Sequence, residues 1–244
     1  MMSFISKTEK SALITGASSG IGKATALEFA KAGINLALVS RSPEKLEAVA
    51  QTAIEAGVKA KAYTLDLAEV EQVREKISAI ASDFGSIDIL VNNAGMGYTN
   101  TLSDTSLIDW QQVINLNLTS VFQCIQGILP MMRDREQGTI INVASIGAKQ
   151  VFPEWGAYCV SKFGLMALSK TLAAEERQNG IRVTAICPGS VNSSLWDTET
   201  VRANFDRSAM LTPQVVAQSI LHTALLPASA VIEELILMPN VGTF

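Results

Sequence analysis

Tyr158 and Lys162 stand at i and i+4, and Ser145 comes ahead of them, just past the apolar run Thr139–Val143. If a helix carries Tyr158, the phenol and the ammonium share one of its faces. A tyrosine with a pKa of about 10 is roughly one part in a thousand ionised at pH 7. A neighbouring cation favours the phenolate, and lowering the pKa by ~2–3 units takes about 3–4 kcal/mol of differential interaction. Such a phenol gives a proton to a carbonyl oxygen as hydride arrives, or takes one from an alcohol in reverse. Ser145 would hydrogen-bond the same oxygen and stabilise the charge that develops there. Spacing alone does not carry this reading, because tyrosine and lysine often meet by chance on helices. Coincidence with other motifs does.

The stretch Thr15–Gly22, TGASSGIG, lies between an apolar strand-like run and an amphipathic helix. Glycines allow a tight turn and a close approach of backbone to phosphate. Unpaired N–H groups at the helix N-terminus, together with its dipole, attract a pyrophosphate. The spacing is Gly-x-x-x-Gly-x-Gly, so the generic Gly-x-Gly-x-x-Gly fingerprint is met only loosely. A structural loop is the alternative.

Residues that follow the other strand-like runs are those an open α/β sheet turns towards its ligand. After the second come Ser40, Arg41 and Ser42. An acidic residue there would hold the 2′-hydroxyl of NAD, whereas a hydroxyl and a guanidinium suit the 2′-phosphate of NADP(H). A solvated surface arginine is the alternative. After the third come Asp66 and Leu67, where the carboxylate either accepts a bond from an adenine amine or caps the next helix. After the fourth comes Asn92-Asn93-Ala94-Gly95, small residues and amides where a ribose and nicotinamide would pass, or an ordinary turn.

The elements that must position these groups are legible as alternating runs. Strands are expected at Ser11–Ile14, Leu36–Val39, Ala60–Thr64, Ile87–Val91, Thr139–Val143, Val183–Ile186 and Leu235–Met238, each short and aliphatic as if covered on both faces. Helices are expected at Ile21–Ala32, Glu44–Ala56, Val70–Phe84 and Phe163–Gln178, with Gly33, Gly57, Gly85 and Gly180 as C-terminal caps. Alternation of this kind specifies an α/β fold: one domain, residues 1–244, built on a doubly wound parallel sheet of about seven strands.

Composition narrows the function. Of 244 residues, 48% are hydrophobic and 17% charged, and the net charge of −4 offers no cationic field for nucleic acid or an anionic membrane. Cys124, Cys159 and Cys187 show neither metal spacing nor a disulfide framework, which points to a reducing, cytoplasmic setting. His222 is the single histidine. That excludes a His-cluster metal site, and its apolar helical context reads as structural. The first strand begins near Ser11, so no secretory signal peptide is expected, and no apolar run approaches the ~20 residues that span a bilayer.

In order along the chain, Thr15–Gly22, Asp66-Leu67, Asn92–Gly95, Asn117 within Asn115–Leu118, Ser145, Tyr158-x-x-x-Lys162 and Pro188-Gly189 resemble the short-chain dehydrogenase/reductase family. The resemblance implies a catalytic tetrad of Asn117, Ser145, Tyr158 and Lys162. In it Lys162 lowers the tyrosine pKa and binds the nicotinamide ribose, and Asn117 holds a water of a proton relay; a helix-kinking amide is its alternative role. It further implies that Gly16, Ser18, Ser19, Gly20, Ile21 and Gly22 hold the coenzyme, NADP(H), with Ser40, Arg41, Asp66, Leu67, Asn93, Ala94 and Gly95. Pro188 and Gly189 would run beside the nicotinamide, with Val191 and Ser193 near its carboxamide; the family usually has threonine where Ser193 stands. An arginine often seen in the glycine turn of NADP-preferring members is replaced by Ser19, which leaves Arg41 to read the phosphate. Members commonly form tetramers through the helices around Leu107–Met132 and Tyr158–Asn179 and the C-terminal strand.

The segments Gly147–Gly156 and Val191–Leu211, the latter a short lid, should flank the substrate. They bring Phe152, Trp155, Leu195, Trp196 and Met210, with Met96 from the turn after the fourth strand. Such a pocket suits a ketone or aldehyde with hydrophobic bulk; packing of a lid or a subunit contact is the alternative. Arg202 and Arg207 either clamp a substrate carboxylate or lie solvated. The closing stretch Val231–Pro239 is similar to NADP-dependent 3-hydroxy-acid and serine dehydrogenases, and the chain as a whole also to 3-oxoacyl-carrier-protein reductases. A reading of another class, a non-catalytic NADP-binding regulator, is disfavoured by the presence of both Tyr158 and Lys162.

Overall fold

The computed structural model describes residues 10–202 and 206–242. Residues 203–205 of the expected lid, and the ends of the expected 1–244 domain, lie outside the described residues. Along the chain run β1 (Ser11–Thr15), α1 (Gly20–Lys31), β2 (Asn35–Ser40), α2 (Pro43–Glu55), β3 (Ala60–Thr64), α3 (Val70–Phe84) and β4 (Ile89–Asn92). Then come α4 (Leu107–Ile114), α5 (Ser120–Asp134), β5 (Gly138–Val143), α6 (Gly156–Glu176), β6 (Ile181–Pro188), α7 (Pro213–Ala224) and β7 (Glu234–Leu237). The strands form one seven-stranded sheet in the order β3-β2-β1-β4-β5-β6-β7. Every pairing is parallel. This is the expected doubly wound fold, and its order reverses between β1 and β4, where such sheets open a ligand crevice.

Two apolar layers hold it together. On one face Leu90, Ile140 and Val183 pack under Val73 and Ile77 of α3, Ile125 of α5 and Leu165 of α6. On the other, Ile14, Leu38 and Ile141 pack under Phe29 of α1, Leu46 of α2 and Ile220 of α7. Each fully buried side chain of this size is worth about 1.5–3 kcal/mol. The central strands β1, β4 and β5 are buried along their whole length, as their aliphatic runs require. The outer strands depart from that reading. Lys61 of β3 and Ile236 of β7 are exposed, because an edge strand lacks a second neighbour.

Gly33, Gly57, Gly85 and Gly180 all take positive φ after their helices, as capping glycines do. Helix α6 starts at Gly156 rather than Phe163; Pro153 and Gly156 carry turn signals that mask its first turns. β4 starts at Ile89 rather than Ile87, whose carbonyl is taken by the Arg135 guanidinium. Between α4 and α5 the chain widens into a π-turn, Asn115–Thr119.

Candidate active site

The β1–α1 turn is built by steric necessity. Gly16 takes φ 64°, and a Cβ there would stand 2.8 Å from the Asn93 side-chain nitrogen. On Gly22 a Cβ would stand 2.2 Å from the Gly16 carbonyl oxygen, so α1 can seat on the turn only with glycine there. Thr15 Oγ1 accepts the backbone N–H of Asn93 at 3.0 Å and of Ala94 at 3.1 Å, and Asn93 Nδ2 donates to the Thr15 carbonyl at 3.0 Å. These bonds lace the ends of β1 and β4 together. Ser19 precedes α1 without capping it through its side chain, and the first turn carries no acidic residue, so the helix presents free N–H groups to the crevice.

A cavity of about 650 Å³ runs along the carboxyl ends of the strands. One end is lined by Gly16, Ser18, Ser19, Gly20 and Ile21, with Asn93, Ala94 and Gly95 opposite. Gly22 is not in the lining: its place is the packing contact just described. Ser40 is buried and its hydroxyl accepts the Ser42 N–H at 3.1 Å, while Arg41 lies exposed at the rim and makes no ion pair among the described residues. Asp66 and Leu67 line the same end. Asp66 Oδ1 accepts the Ala68 N–H at 2.9 Å, and since α3 begins only at Val70 it does not cap that helix. Pro188, Gly189, Val191 and Ser193 form the far wall.

Ser145, Tyr158 and Lys162 meet at the middle of this cavity. Ser145 lies two residues beyond β5; its Oγ accepts the Gly147 N–H at 3.0 Å, and the serine acts on the Tyr158 phenol to lower its pKa. Tyr158 is the third residue of α6, one turn before Lys162. The Lys162 side chain is 5% exposed, donates to the Val143 carbonyl at 3.0 Å and lies 5.8 Å from the Tyr158 ring centroid. Gly95 adjoins the pair: an added Cβ would come a tight 3.1 Å from Asn117 Oδ1 and an ordinary 3.6 Å from the Lys162 Nζ. Asn117 lies buried in the π-turn, beneath the cavity rather than in its lining. Its Oδ1 accepts the Met96 N–H at 2.8 Å, and its Nδ2 donates to the Met96 carbonyl at 3.0 Å and to Ser161 Oγ at 3.1 Å.

The electrostatics run opposite to the expectation that Lys162 makes the phenol acidic. Burial pushes Tyr158 up to about 12; the Ser145 hydrogen bond opposes this, and the thiols of Cys159 and Cys187 reinforce it. The same burial pushes Lys162 down to about 8. Desolvation disfavours both charges, and the ammonium spends a hydrogen bond on Val143. At pH 7 the pair is therefore a neutral phenol beside an ammonium.

Past Tyr158 the cavity becomes aromatic. Trp155 meets Tyr158 edge-on at 5.3 Å and Trp196 at 5.8 Å, and Trp196 Nε1 donates to the Val191 carbonyl at 2.7 Å. Met96, Phe152 and Leu195 line this end as expected. Met210 does not; it is buried at 7% exposure outside the lining. Nor does Arg207, which pairs with Asp197 at 2.6 Å. Arg202 reaches the lining.

The stretch Thr200–Arg202 is stitched to the segment after β4. Thr99 N–H donates to the Thr200 carbonyl at 2.9 Å, Arg202 N–H to Thr99 Oγ1 at 2.7 Å, and Thr200 Oγ1 to the Gly97 carbonyl at 2.8 Å. A Cβ on Gly97 would meet Val201 at 2.7 Å. Thr99 also lines the cavity from outside the segments expected to flank it, and Thr198 and Glu154 line it from within them. Glu154 takes φ 66°, a conformation a glutamate rarely adopts, just before the helix that carries Tyr158.

A crevice at the strand-order reversal, a glycine turn under a helix N-terminus and a serine, tyrosine and lysine at its centre together define a dinucleotide-dependent oxidoreductase site. The family model described as short chain dehydrogenase matches residues 10–203, and the chain belongs to that family. Similar proteins include the 3-oxoacyl-(acyl-carrier-protein) reductase FabG of Staphylococcus epidermidis, 41% identical over 187 residues, 76% of this chain and 77% of its own. The sepiapterin reductase of Chlorobaculum tepidum is 34% identical over 240 residues, 94% of this chain and 96% of its own. Among solved structures, an alcohol dehydrogenase from Thermococcus sibiricus complexed with 5-hydroxy-NADP superposes with a TM-score of 0.87 at 29% identity, covering 95% of this chain and 97% of that one. The protein is thus an oxidoreductase of a family whose members use a nicotinamide nucleotide. Among the described residues no helix is long and apolar enough to cross a membrane.

Proposed function

We propose that the chain is an NADP(H)-dependent oxidoreductase that moves hydride between the nicotinamide and a carbonyl or secondary alcohol. Tyr158 is its general acid and base. The convergence of Ser145, Tyr158 and Lys162 at the centre of a cavity that ends in Arg41 carries this reading. The residues fit the coenzyme: the uncapped α1 N-terminus suits the pyrophosphate, Arg41 the 2′-phosphate, and the Lys162 ammonium beside Gly95 a ribose hydroxyl. When bound, the nicotinamide supplies or accepts the hydride. Ser145 holds the substrate oxygen. Tyr158, neutral at pH 7, delivers its phenolic proton to that oxygen and is left as a phenolate opposite the Lys162 ammonium, which that charge then favours. Asn117 braces Met96 and Ser161 and so keeps the two turns around Tyr158 in place.

The aromatic end suits a carbonyl compound with hydrophobic bulk held between Trp155, Trp196 and Phe152. Likeness to FabG keeps 3-oxoacyl thioesters among its substrates, and 3-hydroxy acids belong on the same panel. Exposed Phe122 of α5 and Val160 and Phe163 of α6 support association of copies through these helices. The test is NADPH oxidation with ketones, aldehydes, 3-oxo acids and 3-oxo thioesters. Turnover that Tyr158→Phe abolishes while coenzyme binding persists supports the proposal. Tight NADPH binding with no turnover across the panel would sink it in favour of a regulator.

A further inference from the structure

Three buried polar side chains stand behind the site and are not used in the chemistry above. Asn92 ends β4 and is in register with Asn142 of β5; Ser169 lies on α6. Asn92 Nδ2 donates to Asn142 Oδ1 at 2.9 Å, Asn142 Nδ2 donates to Ser169 Oγ at 2.9 Å, and the Ser169 hydroxyl donates to the Leu165 carbonyl at 2.7 Å. None of the three is more than 3% exposed. They sit at the layer formed by Leu90, Ile140, Leu165 and Met166.

Stability does not account for this chain of bonds. Replacing buried hydrogen-bonded partners by apolar groups of similar shape is close to neutral, whereas an orphaned buried oxygen costs ~1–3 kcal/mol. Asn92 Oδ1 is such an orphan, buried and without a partner among the described residues. Position does account for it. Asn93, next to Asn92, braces the glycine turn. Val143, next to Asn142, offers the carbonyl that takes the Lys162 hydrogen bond. Ser169 follows Lys162 at i+7, on the same face of α6.

We infer that Asn142 and Ser169 are positioning residues: their hydrogen bond fixes the depth and rotation of α6 against the end of β5, so that the Lys162 ammonium meets the Val143 carbonyl beneath Tyr158. The inference rests on the proposed reading of Tyr158 and Lys162 as the catalytic pair. Without this tie the flexible Lys162 side chain makes the remaining side-chain hydrogen bond from α6 to β5 among the described residues, and apolar contacts do not fix register along the helix. The ionisable groups that bear on the Lys162 ammonium are Tyr158, whose ring centroid lies 5.8 Å away on the same helix, and Cys187 on β6, so a shift of α6 changes its titration as well as its reach.

The test compares Ser169→Ala, Ser169→Thr and the apolar triple variant Asn92→Leu/Asn142→Leu/Ser169→Ala with the full wild-type chain. Two readouts are taken: steady-state carbonyl reduction, and the Lys162 titration followed by NMR on protein carrying labelled lysine. Ser169→Ala should lower kcat about tenfold while KM moves less than about twofold. It should move the Lys162 midpoint by about half a pH unit or more, and Ser169→Thr, which keeps the hydroxyl, should restore both. The triple variant leaves no orphaned polar atom; it should keep the melting temperature and still show both defects. Wild-type kcat and Lys162 titration in Ser169→Ala and in the triple variant would overturn the inference. If the wild type reduces no carbonyl on the panel, the functional reading fails by itself, and the Lys162 titration alone still decides whether the tie positions the lysine.

Discussion

Lys162 and Val143 share a 3.0 Å hydrogen bond in which the ammonium donates to the strand carbonyl rather than to the phenol one turn away. That bond anchors a charge the surroundings disfavour, since burial draws the lysine down to about 8. In the proposed reaction the protonated form is the one that steadies the Tyr158 phenolate left by reduction. Carbonyl reduction should therefore be flat below neutrality and fall as pH rises through about 8, measured as kcat/KM with saturating NADPH. An unfolded lysine keeps its proton to about 10.5, so between pH 8 and 10.5 the unfolded state binds more protons and this group's contribution to stability rises with pH. A reduction rate unchanged from pH 7 to 10 would contradict the assignment of Lys162.

Tyr158→Phe removes the proton donor and keeps the ring edge against Trp155. Turnover should drop by about 10²–10⁴-fold, the usual worth of a positioned acid, while NADPH affinity measured by fluorescence stays within about threefold, below the ~1.4 kcal/mol of a tenfold change. Equal losses in binding and turnover would indicate a packing role instead.

Arg41→Asp reverses the charge at the rim to which the proposed function assigns the 2′-phosphate. A hydrogen bond to a charged group is worth about 1.5–3 kcal/mol, so KM for NADPH should rise roughly 10- to 150-fold and the preference should swing to NADH. Comparing kcat/KM for both coenzymes checks it. Unchanged ratios would remove Arg41 from the site.

Gly22→Ala sets a methyl 2.2 Å from the Gly16 carbonyl, so α1 must lift from the turn. Overpacking of this kind costs about 1–3 kcal/mol. The melting temperature should fall by roughly 2–4 °C for each kcal/mol in a domain of this size. NADPH binding should weaken with it, because the N–H groups at the helix start move. Ligand-free melting and NADPH titration read the two effects separately.

The central strands and the helix Val70–Phe84 were legible in the sequence because their side-chain period and their burial coincide. So was the meeting of Ser145, Tyr158 and Lys162 in one cavity, since Ser145 lies just past a strand end and Lys162 one helical turn from Tyr158. Three things were not. The first turns of α6 hide behind Pro153 and Gly156, whose turn signals outweigh a weak amphipathic pattern. The direction of the Tyr158 shift depends on burial, and i+4 spacing reports proximity to a cation but not the loss of water. The seam at Thr99 joins residues about a hundred positions apart, by one backbone pair and two threonine hydroxyls, a separation over which residue type carries no pairing signal. Arg202 and Arg207 look alike in sequence; only the fold shows that Asp197 has already claimed one of them.

The run from Asn93 to Thr99 serves two compartments with one thread. Its start is fastened to Thr15 beneath the glycine turn, Met96 is gripped by Asn117, and Gly97 and Thr99 form the seam that seats the roof over Trp155. The same run of residues therefore borders both the glycine-turn end and the aromatic end of the cavity, and a substitution that shifts its path is expected to be felt at both.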